Sequence, residues 1–405
     1  MTHKFLRQVL RRQTEALGFL NDFALLLYGM KTDGEALISR LKGAGRQQVI
    51  DECLCRYAEL REQDYEFGRA LTAMDEDEWH NLTEYLVRWH SCENIEESAA
   101  KILDDLLQTM YTNGIMGNFI TPLSLADMMA RMLEPMAGEV VMDPVCGCGR
   151  LLVAAAKRCR DCRYIGMDLD KEIKTTAFFN TSFNGMTDVA LYQGDFLKNP
   201  GKEKVDVILA NPPYSDDIRE TLNFIDRMIY TLKEEGRCGI LVPEGFLTNT
   251  INGDVVRMRR NILVNHSLEC VISLPRKIYK PYTVSKSSLV LLSNQPSLPG
   301  HQVFFGDVPE YVGPENEFSD TVYEQSIKQI TEAWKRWKKG EKDDFWTASL
   351  EEIKEKEYIF GANHYQRSKY RYVSQQGREL WERILKGQEK LNDSVYRYFR
   401  EDSEI

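Results

Sequence analysis

The chain has 405 residues, more than one compact core usually organises, so two or three domains are expected. Its 43% hydrophobic and 28% charged residues are those of an ordinary globular protein, which excludes a disordered or fibrous chain. With 52 Lys and Arg against 62 Asp and Glu the formal charge is −10, which argues against a tight, unaided nucleic-acid binder, because neutralising phosphates needs surplus cations. DNA stays open as a ligand, since charge can be segregated on the surface or supplied by a partner.

In chain order, the N-terminus is basic but lacks the apolar core and small-residue cleavage site of a signal peptide. The most apolar early run, LGFLNDFALLLYGM, is broken by Asn21 and Asp22 and is too short to span a bilayer. No membrane partner is therefore expected, and nine cysteines without a regular framework point to free thiols in a reducing cytoplasm. Apolar residues then recur every three or four positions in FLRQVLRRQTEALGFLNDFALLL, EDEWHNLTEYLVRW and ESAAKILDDLLQTMY, so residues 1–112 read as an N-terminal helical domain. Trp79 and Trp89 are expected to be packing anchors of that domain.

A turn-rich break, TNGIMGNF, leads to TPLSLADMMARML, a helix with Thr121 placed to cap it and Pro122 at its first position. From there the pattern alternates between short β-rich runs and helices. The strands expected are 139–143, 163–168, 189–194, 205–210, 238–243, 268–274 and 287–293, with VFFGDV a candidate edge strand. Such alternation predicts an α/β fold, a doubly wound and mainly parallel seven-stranded sheet covered on both faces. Residues 113–366 are assigned to this domain and 367–405 to a helical tail.

Ligands of open parallel sheets bind beyond the carboxyl ends of the strands, so the residues ending each strand carry the functional reading. The first strand ends in Asp143-Pro-Val-Cys146-Gly147-Cys-Gly149-Arg150, a glycine loop running straight into a helix. It is not the dinucleotide fingerprint, because Leu152 stands at the third glycine. Cys146 and Cys148 with Cys159 and Cys162 have the donor count for zinc, but the first pair belongs to the glycine loop and a helix holds the pairs apart, so no metal site is expected. Asp168 ends the second strand, where an acid accepts from ribose hydroxyls or merely caps the next helix. Asp195 and Phe196 follow the third strand and suit an adenine edge and face. Together these point to a nucleoside-containing cofactor. The fourth strand ends in Asn211-Pro212-Pro213-Tyr214. Asn211 offers a side-chain carbonyl, Pro212 has no N–H, and two acceptors converging on one amino group can hold it toward an electrophile while Tyr214 stacks on its ring. An exocyclic adenine amine is such a methyl acceptor.

With these motifs in this order, the sequence resembles the amino-group DNA methyltransferases that use S-adenosylmethionine, and more narrowly the N6-adenine modification subunits of type I restriction–modification systems. The resemblance rests on Gly117-Asn-Phe119-Ile-Thr121-Pro122, on DPVCGCGR, on NPPY, and on the downstream segments GRCGILVPEGFLTNT, LECVISLPRKIY, VSKSSLVLLS and EEIKEKEYIFGANHY. It covers about 115–366. It implies that Phe119 and Thr121 contact the methionine end of the cofactor, that Asp143, Cys146, Gly147 and Gly149 form its floor, and that Asp168 binds the ribose. It further implies that Asp195 and Phe196 hold the cofactor adenine, and that Asn211, Pro212, Pro213 and Tyr214 form the catalytic tetrapeptide around a flipped-out target adenine. Cys148 replaces a small hydroxyl residue of the family and Arg150 a glycine. Arg150 is expected either to crowd the carboxylate end of the cofactor or to pair with it.

A module that reads DNA sequence needs about 100 residues or more, longer than the stretch after Tyr365, so a separate specificity subunit is expected, with a restriction subunit in the fuller assembly. The N-terminal helices and the last helix would be its docking surfaces, and double-stranded DNA the substrate. The alternatives are a solitary DNA methyltransferase, a protein-glutamine or RNA methyltransferase sharing N-P-P-Y, and a non-catalytic scaffold that binds the cofactor.

Overall fold

The structure, a computed structural model, describes residues 6, 9–10, 16–56, 65–91, 95–115, 120–213, 217–280, 284–311 and 320–365. Phe119, Tyr214 and the 367–405 tail lie outside the described residues. The N-terminal region is helical, as its periodicity predicts: α1 (Ala16–Gly43), α2 (Arg46–Arg56), α3 (Arg69–Ala73), α4 (Glu76–His90) and α5 (Ile95–Thr112). Asp75 and Glu78 close a reciprocal capping box at the start of α4. Trp79 and Trp89 are buried packing residues, as expected.

The two polar residues that interrupt the apolar run of α1 are both fully buried, each with a specific task. The Asp22 carboxylate accepts from the backbone N–H groups of Gly68, Ala70 and Leu71 at 2.7, 2.9 and 3.3 Å, so it serves the orphan donors that begin α3. Burial raises its pKa to about 6 against the lowering effect of those three bonds. Asn21 instead reaches across to the helix Lys171–Phe183. Its Nδ2 donates to the Glu172 carbonyl at 2.9 Å, and its Oδ1 accepts from Thr176 at 2.7 Å.

One sheet organises the rest of the described residues. Its strands are β1 (Val140–Asp143), β2 (Arg163–Asp168), β3 (Val189–Gln193), β4 (Val205–Ala210), β5 (Leu232–Pro243), β6 (Ser267–Ser273), β7 (Ser287–Ser293), β8 (Gln302–Asp307) and β9 (Thr347–Ser349). The spatial order is β3-β2-β1-β4-β5-β7-β6-β8-β9. From β3 to β5 every neighbouring pair is parallel, whereas β7 runs antiparallel between β5 and β6. The strand order reverses between β1 and β4, which opens the crevice where such sheets take ligands.

The expected seven strands are all present, and the sheet extends to nine. β8 is not an edge: it pairs parallel with β6 and antiparallel with β9. Phe304 packs with Trp334 and Trp337 on one face of β8, and Phe305 with Trp346 and Tyr365 on the other. β9 is three residues long, too short for a periodic pattern to reveal.

Helices α6 (Leu123–Leu133), α7 (Arg150–Ala156), α8 (Lys171–Phe183), α9 (Ile218–Thr231), α10 (Glu244–Thr248), α11 (Gly253–Asn265), α12 (Glu324–Lys338) and α13 (Leu350–Glu355) complete the fold. α6 and α7 share one apolar core with one face of the sheet, and α9 and α11 share another with the opposite face. Ile173, Phe179 and Phe183 of α8 belong to the core of the N-terminal helices, so the helical region is built onto the sheet through α8. Among the described residues no helix is long and apolar enough to cross a membrane.

Candidate active site

The glycine loop between β1 and α7 forms because two of its residues take left-handed backbone, Gly147 at φ 51° and Gly149 at φ 77°. A Cβ at Gly149 would stand 3.3 Å from that of Ala177, so the loop also lies close against α8. Asp168, at the end of β2, stitches it in place. One carboxylate oxygen accepts from the Gly147 N–H at 2.8 Å and the other from the Asp170 N–H at 3.0 Å. The Cys146 N–H donates to the Met167 carbonyl at 2.8 Å, and the Gly194 N–H to that of Asp168 at 2.8 Å. The ends of β1, β2 and β3 are thus one hydrogen-bonded unit. Asp170, not Asp168, caps α8.

Two acids lie at the floor of this unit. Asp143 is 1% exposed, and its Oδ1 accepts from the Val145 N–H at 3.2 Å. Burial, reinforced by the neighbouring Asp168 charge, pushes its carboxyl well above the usual range, and burial raises Asp168 as well. Two desolvated carboxyls favour a cationic ligand, which would offset the cost of their charge. Cys146 is buried, and desolvation together with these two acids drives its thiol far from the reactive thiolate. The Cys148 thiol packs into the helical core, where burial pushes it up to about 11. Cys162, from the other pair considered for zinc, donates to the Met136 carbonyl at 3.0 Å. Among the described residues no His, Cys, Asp and Glu group is placed to hold a metal ion.

Asp195 follows β3 and is half-buried, with an ion pair to Lys198 at 3.0 Å that holds its carboxyl below the usual range. Phe196 is 2% exposed and stacks on Phe224, ring centroids 6.3 Å apart. Its burial in the core accounts for this ring without a ligand.

At the end of β4, Asn211 is half-buried, Pro212 buried and Pro213 exposed. The Asn211 Nδ2 donates to the Thr121 hydroxyl at 3.1 Å, which fixes the amide and leaves Oδ1 as its acceptor. Thr121 therefore does not cap α6. That helix begins at Leu123 with Pro122 at its cap position and no side-chain cap, because the threonine hydroxyl is engaged with Asn211. Tyr279 donates to Asn211 Oδ1 at 3.4 Å. Nothing in the local sequence marks Tyr279 for this, beyond its place in the segment LECVISLPRKIY.

The Arg150 side chain is buried against α5, with Nη2 2.7 Å from Asp104 Oδ1 and Nη1 3.1 Å from the Thr121 carbonyl. Both terminal nitrogens also lie 3.4 Å from Gln108 Oε1.

A sheet of this order, with one late strand running against its neighbours, has the fold of the S-adenosylmethionine-dependent methyltransferases. Among solved structures, the methyltransferase subunit of a type I restriction–modification system from Streptococcus thermophilus aligns over 88% of this chain and 96% of its own, with a TM-score of 0.69 at 19% identity. The chain belongs to the N-6 DNA Methylase family, whose model matches residues 101–372. Similar curated proteins include the MjaVIII type I restriction enzyme methylase subunit of Methanocaldococcus jannaschii, 23% identical over 73% of this chain. The EcoEI methylase subunit of Escherichia coli is 26% identical over 62% of it. The matched regions span 58% and 56% of those two relatives' own lengths.

Proposed function

We propose that this protein transfers a methyl group from S-adenosylmethionine to N6 of an adenine in double-stranded DNA, as a modification subunit working with a separate specificity subunit. The observation that carries the reading is the Asn211 amide, clamped by Thr121 at the end of β4, beside the glycine loop and its two buried acids. S-adenosylmethionine supplies an electrophilic methyl on a cationic sulfonium. The residues present suit it: Asp143 and Asp168 favour a cation, and the left-handed glycines let backbone approach closely.

Asn211 Oδ1 and the carbonyl at Pro212 accept from the two N6 protons, which orients the nitrogen lone pair away from the ring plane and toward the methyl. Since Pro212 and Pro213 carry no N–H, no competing donor faces the amine. Positioning provides most of the acceleration, and the nitrogen sheds its proton after its charge develops, so no carboxylate base is required beforehand. The target base must leave the duplex, at a few kcal/mol of lost pairing and stacking. The related methylase subunits support DNA as the substrate class, and their type I systems support the partnership.

The test is to sequence modified bases in DNA from cells with and without the gene. N6-methyladenine confined to one motif and dependent on the gene supports the reading; DNA that is identical in the two cells refutes it. Tritium transfer from labelled cofactor to DNA, RNA or protein then separates it from the other N-P-P-Y chemistries.

A further inference from the structure

Arg150 is placed against the usual preferences of its position. It is the first residue of α7, where the helix dipole disfavours a cation, and its guanidinium is buried with Nε lacking a partner among the described residues. A small residue would fill the position at lower cost. What the guanidinium does is bind α5 to the segment holding the catalytic asparagine.

Asp104, Gln108 and Tyr111 recur at helical spacing, so they form one stripe on α5. Asp104 and Gln108 hold Arg150, which donates to the Thr121 carbonyl, while the hydroxyl of the same threonine accepts from Asn211 Nδ2. On the other side, Tyr111 donates to the Ile278 carbonyl at 3.3 Å, and the next residue, Tyr279, donates to Asn211 Oδ1. Among the described residues, the two hydrogen-bond partners of the Asn211 amide are therefore set against the same helical stripe. Tyr279 occupies one lone pair of Oδ1 and leaves the second for a target amine.

We infer that Arg150 is a positioning residue: through Thr121 it fixes the orientation of the Asn211 amide relative to α5, so the placement of the helical region is read directly by the catalytic asparagine. The inference rests on the role proposed for Asn211, yet its test does not depend on activity.

The full chain, with asparagine selectively labelled with 15N, is compared as wild type, Arg150→Gln, Arg150→Lys and Asp104→Asn, with the Asn211 side-chain amide assigned by its loss in Asn211→Asp. In Arg150→Gln the Asn211 amide protons move toward those of solvent-exposed asparagines. Arg150→Lys keeps the charge without the fork and gives an intermediate shift. Combining Asp104→Asn with Arg150→Gln adds nothing further, since both act on one link. In cells carrying these variants in place of the wild-type gene, the initial rate of N6-methyladenine formation falls about 10- to 100-fold, as for a misplaced reacting group, while S-adenosylmethionine binding is retained. An unmoved Asn211 amide in Arg150→Gln, with thermal stability alone reduced, would show that Arg150 only holds the fold together and overturns the inference. If wild-type cells show no gene-dependent N6-methyladenine, the DNA reading falls, and the amide signal still decides the role of Arg150.

Discussion

Replacing Asn211 with alanine separates the chemistry from the scaffold. The substitution removes two side-chain hydrogen bonds, to Thr121 at 3.1 Å and from Tyr279 at 3.4 Å, at a half-buried position. Each such bond contributes about 1 kcal/mol or less at this exposure, so the stability loss should stay near about 1–2 kcal/mol and the chain should remain folded. Transfer loses far more. One of the two acceptors proposed to orient the target amine disappears, and deleting a comparable preorganised group elsewhere costs roughly 100- to 1,000-fold in rate, or about 2.7–4 kcal/mol. The assay is single-turnover transfer of labelled methyl to DNA, with cofactor binding by calorimetry and unfolding by denaturant in parallel. The expected result is a rate at least about 100-fold lower with cofactor affinity nearly unchanged. An unaltered rate would refute the catalytic assignment and favour a cofactor-binding scaffold.

Cofactor binding should depend on pH in a direction set by Asp143 and Asp168. Both carboxyls are raised by burial, so lowering the pH protonates them and removes the negative charge that favours a cation. Calorimetric affinity for S-adenosylmethionine should fall as the pH is lowered, and Asp143→Asn should flatten the profile; an equal slope in the two proteins would count against these acids. Gly149→Ala forces a side chain into left-handed backbone and to 3.3 Å from Ala177, so denaturant unfolding should show a loss of about 1–2 kcal/mol. Asp22 binds its proton more tightly folded than unfolded. Its contribution to stability is therefore highest at low pH and declines as pH rises from the unfolded value of 3.8 through about 6, by up to about 3 kcal/mol. Relative to Asp22→Asn, the wild type should lose melting temperature between pH 4 and 7, and a parallel pair of curves would contradict the shift.

The residues that end β1, β2 and β4 could be picked out before any coordinates, because apolar strand runs bounded by Gly, Asp or Asn-Pro are local signals and their order along the chain matches their order of use. Asp143, Asp168 and Asn211 are therefore found where the strand-end argument put them. Thr121 could be singled out but not given its task, since its apparent cap role depended only on its neighbours in sequence. Phe196 reads as a ligand-facing aromatic for the same reason, and its stacking on Phe224 is visible only in the structure. Tyr279 carries no mark beyond its place in the segment LECVISLPRKIY.

By itself, the sequence determined the α/β class, the helical start, the glycine loop and the Asn-Pro-Pro strand end, all of which follow from spacing and backbone preference over a few residues. The tertiary structure alone decided that β7 inserts antiparallel between β5 and β6, that β8 and β9 extend the sheet, and that Arg150 faces α5. It also brought Asn211 to Thr121, 90 residues away, and to Tyr279, 68 residues away. Those pairings depend on how the elements stack, and a hydrogen bond between distant residues leaves no periodicity in the chain that makes it.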